Sequence, residues 1–172
     1  MSAHAPPAAP LVLLEERVRP EWLDYNDHMN VVYYAMVFDR ASEAFVQHVG
    51  MGEEYTRVTR GSWVALEAHT TFSRELRRGD PLRVETRVLG CDAKRVHLFH
   101  SLHHAEDGYQ AATIELMLMH VDLTARKSSP LPAGVRDRIG RLAAAHATLA
   151  RPAEVGRVIA LPTRPGEASA PG

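Results

Sequence analysis

The spacing of apolar positions changes twice along the chain. Leu11 to Arg19 opens as an apolar run and then alternates, the pattern of a strand that starts buried. Between Val31 and Val49 there is neither Gly nor Pro. Tyr34, Val37, Phe38, Ala41, Phe45 and Val49 recur there at helical spacing, while Asp39, Arg40, Glu43 and Gln47 fall elsewhere. This stretch predicts a long amphipathic helix, closed by Gly50 in the position a helix C-terminus prefers. From Trp63 the period drops to two. Trp63 to Phe72 reads as a strand, Arg78-Gly79-Asp80-Pro81 as a turn, and Leu82 to Val88 as a half-buried strand. Gly90-Cys91-Asp92-Ala93 turns the chain into a strand from Val96 to Leu102, and Asp107-Gly108 marks the next hairpin turn. Ile114 to His120 is apolar on both faces, which suits a central strand or one at an oligomer interface. Pro130 and Pro132 end the alternation, and Ala133 to Leu149 reads as an Ala-rich helix. The arrangement that buries these faces is α+β: one curved antiparallel sheet wrapped around a long central helix, plus a C-terminal helix.

Composition narrows the possible functions. Lys plus Arg number 20 and Asp plus Glu 21 in 172 residues, a net charge of −1, so there is no basic excess for nucleic acid or an anionic membrane. The longest unbroken apolar run, Val31 to Phe38, is too short to span a bilayer. A single cysteine, Cys91, excludes an internal disulfide and a Cys-based zinc site, and its Gly-Cys-Asp setting reads as a turn. The opening MSAHAPPAAP has no cationic region and predicts no signal peptide; a cytoplasmic protein is expected. Residues 1–10 read as a disordered tail, 11–150 as the folded domain, and 151–172 as a C-terminal extension with a disordered last part. There is no G-x-S-x-G, G-x-x-x-x-G-K or G-x-G-x-x-G, so neither a serine elbow nor a nucleotide cofactor is expected. His97, His100, His103 and His104 cluster in sequence, but strand geometry points 97 away from 100 and 103 away from 104. No metal site is expected.

The densest chemistry lies just before the long helix, in Asp24-Tyr25-Asn26-Asp27-His28-Met29-Asn30. Asp24, Asn26 and His28 recur every second residue, which in an extended or looped backbone sets all three on one side. A helix opening near Asn30 and Val31 adds free backbone N–H groups and the positive end of its dipole, a cradle for a developing oxyanion. A carboxylate beside such a cradle suits acyl transfer or hydrolysis. The same residues also suit an ordinary Asx-rich helix cap, and spacing alone does not separate the two.

The run D-x-N-x-H-x-N directly before a helix bearing Tyr34 resembles the signature of hotdog-fold thioesterases. It is similar to the catalytic segment of plant acyl-ACP thioesterases, and its first Asp to that of 4-hydroxybenzoyl-CoA-type thioesterases. Many members carry Gly where this chain has Asp27. Leu66-Glu67-Ala68-His69, Gly79-Asp80 and His120-Val121-Asp122 extend the likeness over about residues 11–150. LGCDAKRVHLFH at 89–100, LMLMHVD at 116–122 and RPAEVGRVIALP at 151–162 resemble in particular the betainyl-CoA thioesterases of bacterial carnitine breakdown. The resemblance implies a cofactor-free acyl-CoA thioesterase with Asp24, Asn26 and His28 as catalytic residues and Asn30 and Val31 at the substrate carbonyl. It implies a homodimer or homotetramer with sites shared across the seam.

Glu67, two residues from His69 on one strand face, either completes that site from the facing strand or is a solvent-facing or interface residue. Trp22, Tyr25, Tyr33, Tyr34 and Trp63 gather near the motif, where they would either box a quaternary ammonium or form core. Lys94, Arg95, Arg126 and Lys127 would meet CoA phosphates or remain solvated surface charge. Two other functions fit the fold: a non-catalytic acyl-CoA-binding protein, and a hotdog hydratase or dehydratase. The latter needs a His paired with an acid inside the helix, where only Asp39 and Glu43 occur, at positions that read as outward.

Overall fold

Ten elements occupy residues 8–161, the part of the chain that the computed structural model describes. Most of the expected N-terminal tail and the end of the C-terminal extension lie outside these residues. The long helix forms over Val31–His48 (α1), and Gly50, at φ +81°, takes the left-handed conformation that ends it. Six strands form the sheet: β1 (Leu11–Arg17), β2 (Gly61–Phe72), β3 (Pro81–Cys91), β4 (Arg95–His104), β5 (Gln110–Asp122) and a short β6 (Lys127–Ser128) that the alternation does not predict. A short α2 (Glu53–Thr59) and a 3-10 turn (Pro20–Trp22) join them, and α3 (Ala133–His146) closes the domain. Cys91 ends β3 rather than sitting in the turn. The turn itself is built by Asp92, whose carboxylate accepts from the Lys94 and Arg95 amides at 2.8 and 2.7 Å.

Every strand pair is antiparallel, in the order β1-β3-β4-β5-β2, with β6 on β5. Ile114, Leu116 and Leu118 of β5 face α1, as do their partners Thr70, Ala68 and Ala65 on β2. The sheet curls around α1, whose buried stripe of Tyr34, Val37, Phe38, Ala41, Ser42 and Phe45 fills the concave side. α3 packs against β3, and its Ile139 and Leu142 join the apolar cluster that holds Phe45 and Val49 at the end of α1. Under α1 lies one buried polar chain: His100 meets Thr86 Oγ1 at 2.9 Å and Ser42 Oγ at 3.0 Å. Ser42 donates to the Phe38 carbonyl at 3.0 Å, so His100 donates to Ser42 and accepts from Thr86 as a neutral ring. Burial holds its pKa down at about 4, in keeping with that neutral form.

The described part of the extension crosses the opposite, convex face. Arg87 donates to the Ala150 carbonyl at 2.6 Å, Gln110 to Glu154 at 2.8 Å, and the Gly156 amide to Glu115 at 2.6 Å. β2 is a sheet edge, and Val64 to Ala68 are exposed on both of its faces.

Candidate active site

The motif residues do not form an extended segment. A turn at 25–27 folds the chain back, so that the Asp24 amide meets the His28 carbonyl at 2.9 Å and the Asp27 amide meets the Asp24 carbonyl at 3.1 Å. Leu23 pairs with Met29, and His28 with Arg77. The expectation that period two sets Asp24, Asn26 and His28 on one side therefore fails: Asp24 and His28 face each other across the turn, and Asn26 lies exposed at its tip. The cause is local side-chain bonding. One Asp24 oxygen, Oδ1, accepts from the amides of Asn26 at 2.8 Å and His28 at 3.4 Å, an Asx-turn that competes with an extended backbone. Asp27 sits at φ +59°, the left-handed region that suits the Gly many members carry there and that Asp tolerates. The other Asp24 oxygen accepts no hydrogen bond among the described residues.

The helix begins immediately beyond. The Asn30 side chain caps α1 by accepting from the Val32 amide at 3.0 Å, while its own amide donates to the Trp22 carbonyl at 2.8 Å. Of the two amides expected to cradle a carbonyl, Asn30 is thus engaged, and Val31 is the one without a partner among the described residues. Val31 lines a cleft of about 350 Å³ with Met29, Tyr34, Phe72, Arg74 and Glu75. Tyr34 fixes its floor: its hydroxyl accepts from the Leu76 amide at 3.2 Å, and the Met29 amide donates to the Leu76 carbonyl at 2.7 Å. Burial raises the Tyr34 pKa to about 12, so the hydroxyl stays protonated at any physiological pH.

A separate, larger groove of about 430 Å³ lies farther along α1, toward its C-terminus. Ala35, Phe38, Ser42 and Val46 form one wall, Trp63, Ala65 and Ala68 of β2 the other, and Ile114, Leu116 and Leu118 the floor. Asp39 and Glu43 stand exposed on its rim, so positions that read as outward in the sequence in fact border a cavity. The groove lining contains no His, and with it no His–acid pair of the hydratase kind.

Other expectations separate from this site. Glu67 and His69 face the convex side, opposite α1, where they share a cleft with His97 and Glu115. Within one chain Glu67 does not join Asp24. The aromatic box does not assemble either. Trp22 is buried, stacked on Tyr33 at 5.7 Å between centroids, and Arg19 and Arg40 already lie over its ring. Tyr25 is 96% exposed, and Trp63 belongs to the groove. Arg95 is tied to Asp92 at 2.7 Å and Lys94 to Ser128 at 3.2 Å, whereas Arg126 and Lys127 border a separate cleft with Val64 and Met119. Among the described residues no group of three or more His, Cys, Asp or Glu is placed to hold a metal ion, and no helix is long and apolar enough to cross a membrane.

Residues 18–139 match the family model described as the thioesterase-like superfamily. The chain belongs to this superfamily. It is 39% identical over 152 residues to a betainyl-CoA thioesterase of Pseudomonas aeruginosa, covering 88% of this chain and 96% of that one. A Rhizobium meliloti L-carnitine dehydrogenase/betainyl-CoA thioesterase is 35% identical over 150 residues, which span only 30% of that longer protein. A Staphylococcus aureus protein solved in complex with CoA superposes with a TM-score of 0.83 at 29% identity, covering 90% of this chain and 98% of that one. A 1,4-dihydroxy-2-naphthoyl-CoA thioesterase of Synechocystis shares the fold at a TM-score of 0.65 and 18% identity, over 81% and 97% of the two chains. The fold is the hotdog fold, and the protein is a thioester hydrolase.

Proposed function

We propose that this hotdog thioesterase hydrolyses acyl-CoA thioesters of short, polar acids, with betainyl-CoA, cleaved to glycine betaine and CoA, as its best substrate. The observation that supports the reading is the divided Asp24 carboxylate: Oδ1 anchors the turn that precedes α1, and the second oxygen accepts no hydrogen bond among the described residues. The thioester carbonyl lies against the Val31 amide, where the positive end of α1 favours the developing oxyanion. Asp24 either attacks the carbonyl to form a transient anhydride or removes a proton from an attacking water. Asn26 orients the carboxylate or the water, and His28 shares the proton transfer. Likeness to the betainyl-CoA relatives over nearly the whole of one of them supports the acyl group.

The site is completed by a second copy of the chain. β2 is a 12-residue edge strand carrying exposed Val64, Leu66 and Phe72, and such an edge, left unpaired, invites aggregation. Pairing of β2 with its copy in a homodimer, or in a homotetramer built from it, covers these residues.

Thiol release from a panel of acyl-CoAs tests the reading. Betainyl-CoA is expected to give the highest kcat/KM; no turnover of any member would leave a binding protein instead. Single turnover in H₂¹⁸O separates the two routes for Asp24. When the carboxylate attacks and water then opens the anhydride at the Asp24 carboxyl carbon, the first product is unlabelled and label enters the enzyme. Direct water attack on the thioester labels the product and never the enzyme, so label in Asp24 identifies the anhydride route.

A further inference from the structure

The segment RPAEVGRVIALP at 151–162 takes no part in the site described above, and its described part crosses the convex face of the sheet. The chain enters this face beside Arg87 of β3, which donates to the Ala150 carbonyl. It passes β5, where Gln110 donates to Glu154 and Glu115 accepts from the Gly156 amide. It reaches β2 where Arg157 and Val158 line a cleft with Glu67 and His69. β2 is the edge of the sheet, so the crossing ends where the sheet does. From there the side chains stop packing: Val158, Ile159 and Leu161 are 83, 89 and 91% exposed. Large apolar side chains gathered in one short segment, and held at a sheet edge, are costly to leave in water.

A second copy of the chain offers them a seat. Antiparallel pairing of β2 with its copy about a two-fold axis near Leu66, the middle of the run exposed on both faces, makes the two convex faces continuous. Val64, Glu67 and His69 all face the convex side, together with their β5 partners Met119, Met117 and Glu115. A segment that leaves one copy beside Glu67 and His69 therefore arrives beside Val64 of the partner subunit. Val64 belongs to a cleft of about 400 Å³ that it forms with Met119, Val121 and Leu123, and Val64 and Leu123 are each 38% exposed. Within its own chain the segment does not use this cleft, whose lining includes none of Val158, Ile159 and Leu161. The reach also fits. Neighbouring strands lie about 4.8 Å apart, and residues 158–161 span about 10 Å when extended, enough to pass over the partner's β2 and arrive at its β5.

We propose that residues 158–161 of each copy form an arm that docks in the partner's cleft at Val64, Met119, Val121 and Leu123, so that two exchanged arms staple the dimer. The inference rests on the β2 pairing proposed above and adds the segment that locks it.

Disulfide trapping in the full chain tests it. In a Cys91→Ser background, Val64→Cys and Ile159→Cys are combined and oxidised, and the linked peptides are identified by mass spectrometry. A covalent dimer joined through positions 64 and 159 is expected. Light scattering of the unsubstituted protein separates the two ways to fail. A dimer or tetramer in which the 64–159 link is absent, or forms only within one chain, overturns the arm and leaves the β2 pairing standing. A monomer overturns both. Ile159→Asp, at a position exposed in the single chain, should raise the concentration at which the dimer dissociates by about tenfold, the effect of losing one buried aliphatic contact. An unchanged dissociation would overturn the staple.

Discussion

Tyr34 and His100 are both buried polar side chains, and each fixes a different part of the structure around the site. Tyr34 Oη is the acceptor for the Leu76 amide, and Leu76 in turn holds Met29 just before the helix. Tyr34→Phe leaves that buried amide without a partner. It should lower stability by about 1–3 kcal/mol and loosen the cleft at Val31, readable as a fall in melting temperature together with a rise in KM. His100 sits fully buried with its pKa near 4, below the ordinary 6.5 that it regains on unfolding. On acidification the unfolded chain therefore takes up the proton first. The neutral His100 contributes its full stability above about pH 6.5, and this is lost as pH falls toward 4. The gap between the two values corresponds to about 3 kcal/mol. Denaturant melts from pH 7 to 4 should show that slope in the wild type, and His100→Gln should flatten it.

Among the elements, α1 and β2 to β5 were legible because burial of one face writes its period into the sequence. α2 was not, because it buries no residue and so carries no apolar stripe. The two-residue β6 is too short to show any period at all. In the motif loop the alternation of Asp24, Asn26 and His28 was misleading, since Asp24 bonds its own backbone and turns the chain. The side of the sheet on which Glu67 lies was hidden for another reason: a bulge between Ala65 and Glu67 resets the register of β2. Asp39 and Glu43 were visible as polar breaks in the helix, but only the position of β2 shows that a groove lies beside them. β2 also carries the element-scale test. Leu66, 49% exposed on this edge, is expected to be covered in the assembly. Leu66→Lys should shift the mass measured by light scattering toward the monomer and lower activity with it; an unchanged assembly would place the contact elsewhere.

For the whole molecule, the curled sheet fixes α1, and the Asx-turn at Asp24 precedes the Asn30 cap that opens this helix. The charge balance and the absence of nucleotide motifs predict a reaction without a nucleotide cofactor, and the D-x-N-x-H-x-N likeness implies Asp24, Asn26 and His28 as its residues. The central claim, that the free Asp24 oxygen does the chemistry while the other merely holds the turn, is tested most directly by comparing Asp24→Asn with Asp24→Ala. Asparagine keeps an oxygen for the Asn26 and His28 amides and removes only the charge. Its kcat/KM on betainyl-CoA should fall by at least about a hundredfold at an unchanged melting temperature, whereas alanine should lose both activity and stability. An Asp24→Asn enzyme within a few-fold of wild type would contradict the account and reduce Asp24 to a cap.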